Sequence, residues 1–426
     1  MADDVVITGV GVVSPVGCGE AAFWDALRNG RSAAGSVEGL DTSELSRTIA
    51  CQVRTPLDVT GVMGRAAKLA VAATRQATRQ AGLSSADFGA SHDARLSVLI
   101  GTTMGETEFI EERLTQPDEH WLTDEHARRI AIGKPGSIAR RVRTDLLATD
   151  LPTSGPLPAA ASPQRPAVSN LSAGRESPGC SIDLYGACAA GNLALASARR
   201  QLLDGRCDVA IAGGADGFSH LAFIGFMRLR AMSSGVCRPF DEQRDGLLVG
   251  EGAAIFVLER ESTARARGAT IRGYILGAGV TCESYHPTRP HPEGDGLTRA
   301  TQAALADANL SATDIDYVCA HGTGTPQNDA IEVAVLDRCF TQGVAFSSIK
   351  ALTGHTMGAA AAIEAVACLL SLEHQMLIPT WHLDNVLQPC SSDAVRGSVR
   401  SADLRYVVNN SAGFGGYNSS IVIAAA

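Results

Sequence analysis

Apolar, β-branched runs recur along the chain and alternate with alanine-rich stretches. Residues 5–16 read as an apolar strand that breaks into a Gly/Pro turn. Residues 95–101 (RLSVLIG), 208–214 (DVAIAGG) and 252–259 (GAAIFVLE) read as buried strands, and 270–279, 317–320 and 406–409 continue the series. Residues 65–82 have a helical period, with small apolar residues on one side and Arg or Lys on the other. Strands that are apolar throughout, rather than alternating, belong to sheets covered on both faces. The pattern therefore predicts an α/β architecture.

One unit appears twice. Residues 181–205 run from an apolar strand through Gly186-Ala187-Cys188 into an alanine-rich helix. Residues 345–374 run from an apolar strand through Lys350 and His355 into another. Two copies facing across an axis would bring Cys188 and His355 into one site. Residues 150–178, rich in Pro, Ser and Ala, lack a steady apolar period and read as a surface loop or insertion that could cover a site entrance.

Composition narrows the function. The chain has 426 residues, 45% hydrophobic and 19% charged, which is ordinary globular composition with room for two or three domains. A net charge of −9 argues against a nucleic-acid partner. No apolar run in the sequence reaches the ~18–20 residues of a membrane span, and the first residues lack the basic and apolar regions of a leader, so a cytoplasmic location is expected. The 11 cysteines include no C-x-x-C pair, which favours neither a zinc ribbon nor a disulfide framework. Within this acidic chain, Arg128, Arg129, Lys134, Arg140, Arg141 and Arg143 cluster, and Arg65, Lys68, Arg75 and Arg79 follow a near-helical spacing. Either group could steer an acidic partner.

Four places carry candidate chemistry. Cys188 lies at a strand-to-helix turn among Gly and Ala, where a helix N-terminus favours thiolate and small neighbours leave room for a thioester. His321 ends an apolar strand and opens a glycine-rich loop containing Thr323, Thr325, Asn328 and Asp329. Lys350 and Glu364 flank His355 in apolar surroundings, which predicts a buried, mutually compensated pair. Residues 410–416, with Gly413, Gly415 and Gly416 around Phe414, form a turn whose exposed N–H groups suit an oxyanion or a close ligand.

In this order and at these separations, G-A-C-A-A-G, H-G-T-G-T-x-x-N-D, K-x-L-T-G-H-T-x-G-A-A and G-F-G-G resemble the β-ketoacyl-[acyl-carrier-protein] synthases, nearest the elongating type of bacterial type II systems. The resemblance covers nearly the whole chain. It implies a thiolase fold, with two similar α/β halves in a five-layer αβαβα arrangement, here residues 1–260 with the nucleophile and 261–426 with the histidines. It also implies Cys188 as the acyl-accepting nucleophile, and the N–H groups of Cys188 and Phe414 as an oxyanion hole. His321 and His355 would bind the malonyl carbonyl, with Lys350 and Glu364 supporting them. Thr323 and Thr325 would contact the phosphopantetheine arm. Met104 would form the acyl-pocket floor, and Phe414 would gate the site with Gly415 beside it. Substrates would arrive on acyl carrier protein in acyl and malonyl forms, with no metal or other cofactor. The chain would pair as a homodimer, or with a second ketosynthase-like subunit.

Two departures from the family pattern, Gly186 where Thr is usual and Ala412 in place of a bulky aromatic, point to specialised polyketide or polyene-type synthesis rather than housekeeping elongation. A thiolase would need a C-terminal catalytic Cys that the 410–416 motif lacks. A non-catalytic chain-length factor would lack Cys188. A synthase-like acyltransferase or starter decarboxylase remains an alternative.

Overall fold

The computed structural model describes residues 3–61, 63–88, 95–108, 111, 136–148 and 179–426. The 150–178 segment, and Arg128, Arg129 and Lys134 of the basic stretch, lie outside these residues. Ten principal strands form two sets with the same topology. The first set is β1 (Val5–Ser14), β2 (Leu96–Thr102), β3 (Ser181–Tyr185), β4 (Val209–Asp216) and β5 (Gly252–Arg260), in spatial order β3-β2-β4-β5-β1. The second set is β6 (Gly273–Cys282), β7 (Tyr317–Cys319), β8 (Ala345–Ser347), β9 (Tyr406–Gly413) and β10 (Tyr417–Ala425), in order β8-β7-β9-β10-β6.

Each set pairs its second strand in parallel with its third and fourth, and its last strand antiparallel to its fourth and first. The repeat suggested by the sequence is thus a repeat of whole sheets. The two sets meet where β1 pairs with β6 through Val6–Tyr274 and Ile7–Gly273.

Helices α1 (Arg65–Gln80) and α2 (Ser137–Leu147) cover the outer face of the first sheet. Helix α3 (Ala190–Leu203) follows β3, and helix α4 (His220–Arg228) follows β4. Helices α5 (Asp295–Asp307) and α6 (Pro326–Cys339) cover the outer face of the second sheet. Helix α7 (Ala360–His374) packs with α3 between the two sheets, which makes five layers. The middle layer touches apolar surface on both sides, and a helix so placed must be apolar all round. Helix α7 obeys this: every residue from Ala360 to Leu372 is buried. Contrary to the sequence expectation that no run reaches the length of a membrane span, the 18 residues Met357–His374 are long and apolar enough to cross one by length and composition alone, and 89% of the stretch is buried inside the protein, as in a core helix.

The charged side of α1 is not a free cationic face. Arg65 pairs with Glu251 at 2.9 Å and Arg75 with Asp145 at 2.6 Å, so two of its four cations are neutralised within the fold. All 11 cysteines are free thiols.

Candidate active site

The two strand–turn–helix units deliver their side chains to one point between the sheets. After β3 the chain turns through a 3₁₀ turn, Ala187–Ala189, directly into α3. Ala187 adopts the left-handed conformation (φ 48°), sparsely populated for a residue with a Cβ. This tight turn places Cys188 in the interior with 6% of its surface exposed. Burial pushes its thiol up to about 12, with the Lys350 charge pulling in the opposite direction. Desolvation of the buried sulfur thus opposes the thiolate that the helix terminus is expected to favour. Alkylation of Cys188 by iodoacetamide is expected to rise about tenfold per pH unit through pH 9 without a plateau. A plateau near pH 7, read by intact mass, would show a stabilised thiolate instead.

His321 follows β7, and α6 holds its loop. Glu332 accepts the N–H groups of His321 (2.6 Å) and Gly322 (2.7 Å). Asp329 accepts those of Thr323 (3.0 Å) and Phe240 (2.7 Å). Behind the ring, Lys350 Nζ donates to His321 Nδ1 (3.2 Å), to the His321 carbonyl (2.5 Å) and to Glu364. Lys350 and Glu364 are 1% and 2% exposed, the buried pair anticipated for these positions. Glu364 is pushed up to about 7 by burial, against the pull of Lys350.

The tautomers follow from these bonds. A lysine ammonium only donates, so His321 Nδ1 accepts and its Nε2 carries the hydrogen. His355 Nδ1 likewise accepts the Met357 N–H at 3.2 Å, which leaves Nε2–H free. The two rings stand 5.3 Å apart and nearly perpendicular. Both imidazoles are held well below the usual histidine range by burial and then by the Lys350 charge, so both are neutral. Ligand atoms of Cys188, His321 and His355 lie within 4.8 Å of one another. Such a trio could hold a soft metal ion, but with both δ-nitrogens accepting, the imidazoles present N–H groups. The set suits an anionic oxygen.

A cavity of about 460 Å³ opens onto these three side chains, and Thr323, Thr325, Phe414 and Gly415 also line it. Phe414 is 37% exposed and its ring lies 5.4 Å from Phe226 of α4. A Cβ at Gly413 would lie 2.9 Å from the Cys188 nitrogen, so only glycine lets the 413–414 peptide come so close to the nucleophile turn. Met104 does not line this cavity; its N–H donates to Asp216 at 3.0 Å in the turn after β2. His286, Arg230 and Arg289 line the cavity and stood out in no sequence motif. Glu332 also went unnoticed, although it lies three residues after Asp329, one helical turn away on the same face.

The fold is that of the thiolases, and the class is the thiolase-fold acyltransferases. The chain matches the Beta-ketoacyl synthase N-terminal domain over residues 2–143 and 161–264, and the C-terminal domain over 272–384. It is 32% identical to 3-oxoacyl-[acyl-carrier-protein] synthase 2 of Staphylococcus aureus (strain COL), over 98% of this chain and 97% of that one. It superposes on the ishigamide ketosynthase/chain length factor with TM-score 0.87 at 33% identity, covering both chains completely. A type II PKS acyl-carrier protein in complex with its ketosynthase bound to the hexaketide gives TM-score 0.84 at 27% identity, again covering all of both chains. The chain belongs to the β-ketoacyl synthase family.

Proposed function

We propose that this enzyme elongates a carrier-bound acyl chain by decarboxylative Claisen condensation with malonyl carrier protein. The supporting observation is the pair of neutral imidazole N–H groups facing the buried Cys188 thiol. In the first half-reaction the Cys188 sulfur attacks the acyl thioester carbonyl. The carrier thiol leaves with the Cys188 proton, and the acyl group stays on sulfur. In the second, malonyl carrier protein loses carbon dioxide. The electrons of the broken C–C bond form an enolate, whose oxygen accepts from His321 and His355. The enolate carbon attacks the Cys188 thioester, and the resulting oxyanion accepts from the N–H groups of Cys188 and Phe414. Collapse breaks the carbon–sulfur bond, frees the β-ketoacyl carrier protein and expels the Cys188 thiolate, which takes a proton from solvent to regenerate the thiol. Lys350 and Glu364 keep the histidine loop in register. Thr323 and Thr325 bind the pantetheine arm.

Charge and shape support the carrier. The exposed Arg230 and Arg289 line the cavity, where they fit the phosphodiester of the arm. The acyl group is of the polyketide or polyene type. Ala412 lines the cavity and widens it where a larger residue would fill it, and a fully covering relative is the ishigamide ketosynthase/chain length factor. The partner subunit is a second copy of this chain. The available face is β3, the last strand on its side of the sheet, with Ile182 38% and Tyr185 44% exposed. The two halves are the functional units 1–260 and 261–426.

The test is carbon dioxide release from malonyl carrier protein with and without an acyl-carrier donor. An elongating enzyme forms β-ketoacyl product in step with carbon dioxide only when the donor is present. Carbon dioxide release that gives acetyl carrier protein and no condensation product would identify a starter decarboxylase. Acyl exchange without carbon dioxide would identify an acyltransferase.

A further inference from the structure

The C-terminal half contains a structural counterpart of the nucleophile turn. Residues Ala187–Ala189 and Met357–Ala359 are both 3₁₀ turns that run straight into a middle-layer helix. Their first residues, Ala187 and Met357, share the left-handed conformation (φ 48° and 54°). The counterpart of Cys188 is then Gly358. Its N–H is occupied: it donates to Asp216 Oδ2 at 2.6 Å. Asp216 ends β4, as Gly413 ends β9, the equivalent strand of the other half. A carboxylate oxygen therefore sits on this turn where, in the other half, the developing oxyanion is to sit on the Cys188 N–H.

Asp216 is fully buried and appears in no ion pair among the described residues. Four groups donate to it: Thr102 Oγ1 (2.6 Å), Thr103 N (2.8 Å), Met104 N (3.0 Å) and Gly358 N. The Thr102 hydroxyl accepts in turn from Gly105 N at 2.9 Å. Three of the four donors are backbone N–H groups, which only donate. The carboxylate thus joins the turn after β2, with Met104 on it, to the turn after His355. The N–H preceding that of Gly358 is the Met357 N–H, which fixes the His355 tautomer.

We propose that Asp216 is a positioning residue: its carboxylate anchors the 357–358 turn to the 102–104 turn, and so holds His355 with Nε2–H directed into the site. The proposal rests on the condensing role of His355 given above. A carboxamide is a poor replacement for this carboxylate, because Asp216→Asn sets its NH₂ group against the Thr103 and Gly358 N–H groups in one orientation and against the Met104 N–H in the other, so a backbone donor is always left unmatched.

Two readouts test the role. Asp216 and Glu364 push the Cys188 thiol up while Lys350 pulls it down, so removing the Asp216 charge makes the thiol more acidic. In Asp216→Asn, decarboxylation of malonyl carrier protein should fall by up to about 10²-fold in kcat with KM little changed, since a misplaced donor acts on the transition state. Iodoacetamide labelling of Cys188 at pH 8 should become faster, with the buried Cys51, Cys207, Cys237, Cys319 and Cys368 still protected. Thr102→Val removes one donor but keeps the charge. It should lower decarboxylation less and leave labelling unchanged.

Unchanged decarboxylation in Asp216→Asn, with labelling of Cys188 accelerated, would overturn the proposal. So would equal losses of decarboxylation in both variants with labelling unchanged in both. Labelling that spreads to those buried cysteines would reveal a structural role only and would equally overturn it. Absence of decarboxylation in the unsubstituted enzyme would instead overturn the condensing function.

Discussion

Cys188→Ala is expected to abolish the acyl-enzyme: incubated with acyl carrier protein, the variant gains no acyl mass, while the unsubstituted chain gains one. Of the 11 cysteines, Cys188 is the one that lines the cavity shared with His321 and His355. Cys51, Cys207, Cys237, Cys319 and Cys368 are buried in packing positions. Cys282 is exposed but ends β6, outside the cavity lining. An oxygen nucleophile at the same place is a poor substitute. A serine hydroxyl needs a general base, and both imidazoles here have their δ-nitrogens engaged and their ε-nitrogens protonated, which leaves no acceptor facing residue 188. Cys188→Ser is therefore expected to be as inactive in loading as Cys188→Ala. Loss of one Sγ from a buried site costs about 1 kcal/mol of packing, so both variants remain folded. An acyl adduct that persists in Cys188→Ala at the unsubstituted stoichiometry would move the nucleophile elsewhere.

The parts of this molecule legible in its sequence are those where local chemistry and global position coincide. The strands were readable because both faces of each sheet are covered, which makes 209–215 and 252–258 apolar without alternation. The site was readable because its turns need Gly and Ala for backbone reasons: Gly413 must pass close to the Cys188 nitrogen, and no larger residue fits. The buried Lys350–Glu364 pair was readable from the apolar residues around both. What stayed hidden depends on distant segments. Asp216 lies 142 residues before its partner Gly358, and nothing near it in sequence marks it as an anchor. The thiol's protonation depends on how completely the two sheets exclude water from Cys188, a property of the assembled layers. The Met104 N–H likewise donates to Asp216, 112 residues further along the chain, a contact that nothing beside Met104 in sequence signals.

The histidine variants separate the two half-reactions. His321→Ala and His355→Ala each remove one N–H donor from the enolate oxygen, and each should cost decarboxylation and condensation on the order of 10²-fold or more. Loading of Cys188 does not use those donors, so both variants should still gain the acyl mass. The environment makes the comparison clean. Without the His321 ring, Lys350 keeps its bonds to Glu364 and to the residue 321 carbonyl, and Glu332 still holds the loop N–H groups. Without the His355 ring, the Gly358 N–H stays on Asp216. The same reasoning fixes the pH profile. Both imidazoles titrate well below their ordinary range because burial and Lys350 oppose a second positive charge. Between about pH 8 and about 6.5, the ordinary histidine value, these imidazoles should therefore add no titration to decarboxylation by the unsubstituted enzyme, and any decline near pH 7 would report Glu364 and Glu332, whose carboxyls burial pushes up to about 7. The loss caused by protonation of the neutral imidazoles should come only in more acidic buffer. Variants that fail chiefly at acyl loading would show that these imidazoles act as proton acceptors for Cys188 rather than as donors to the enolate.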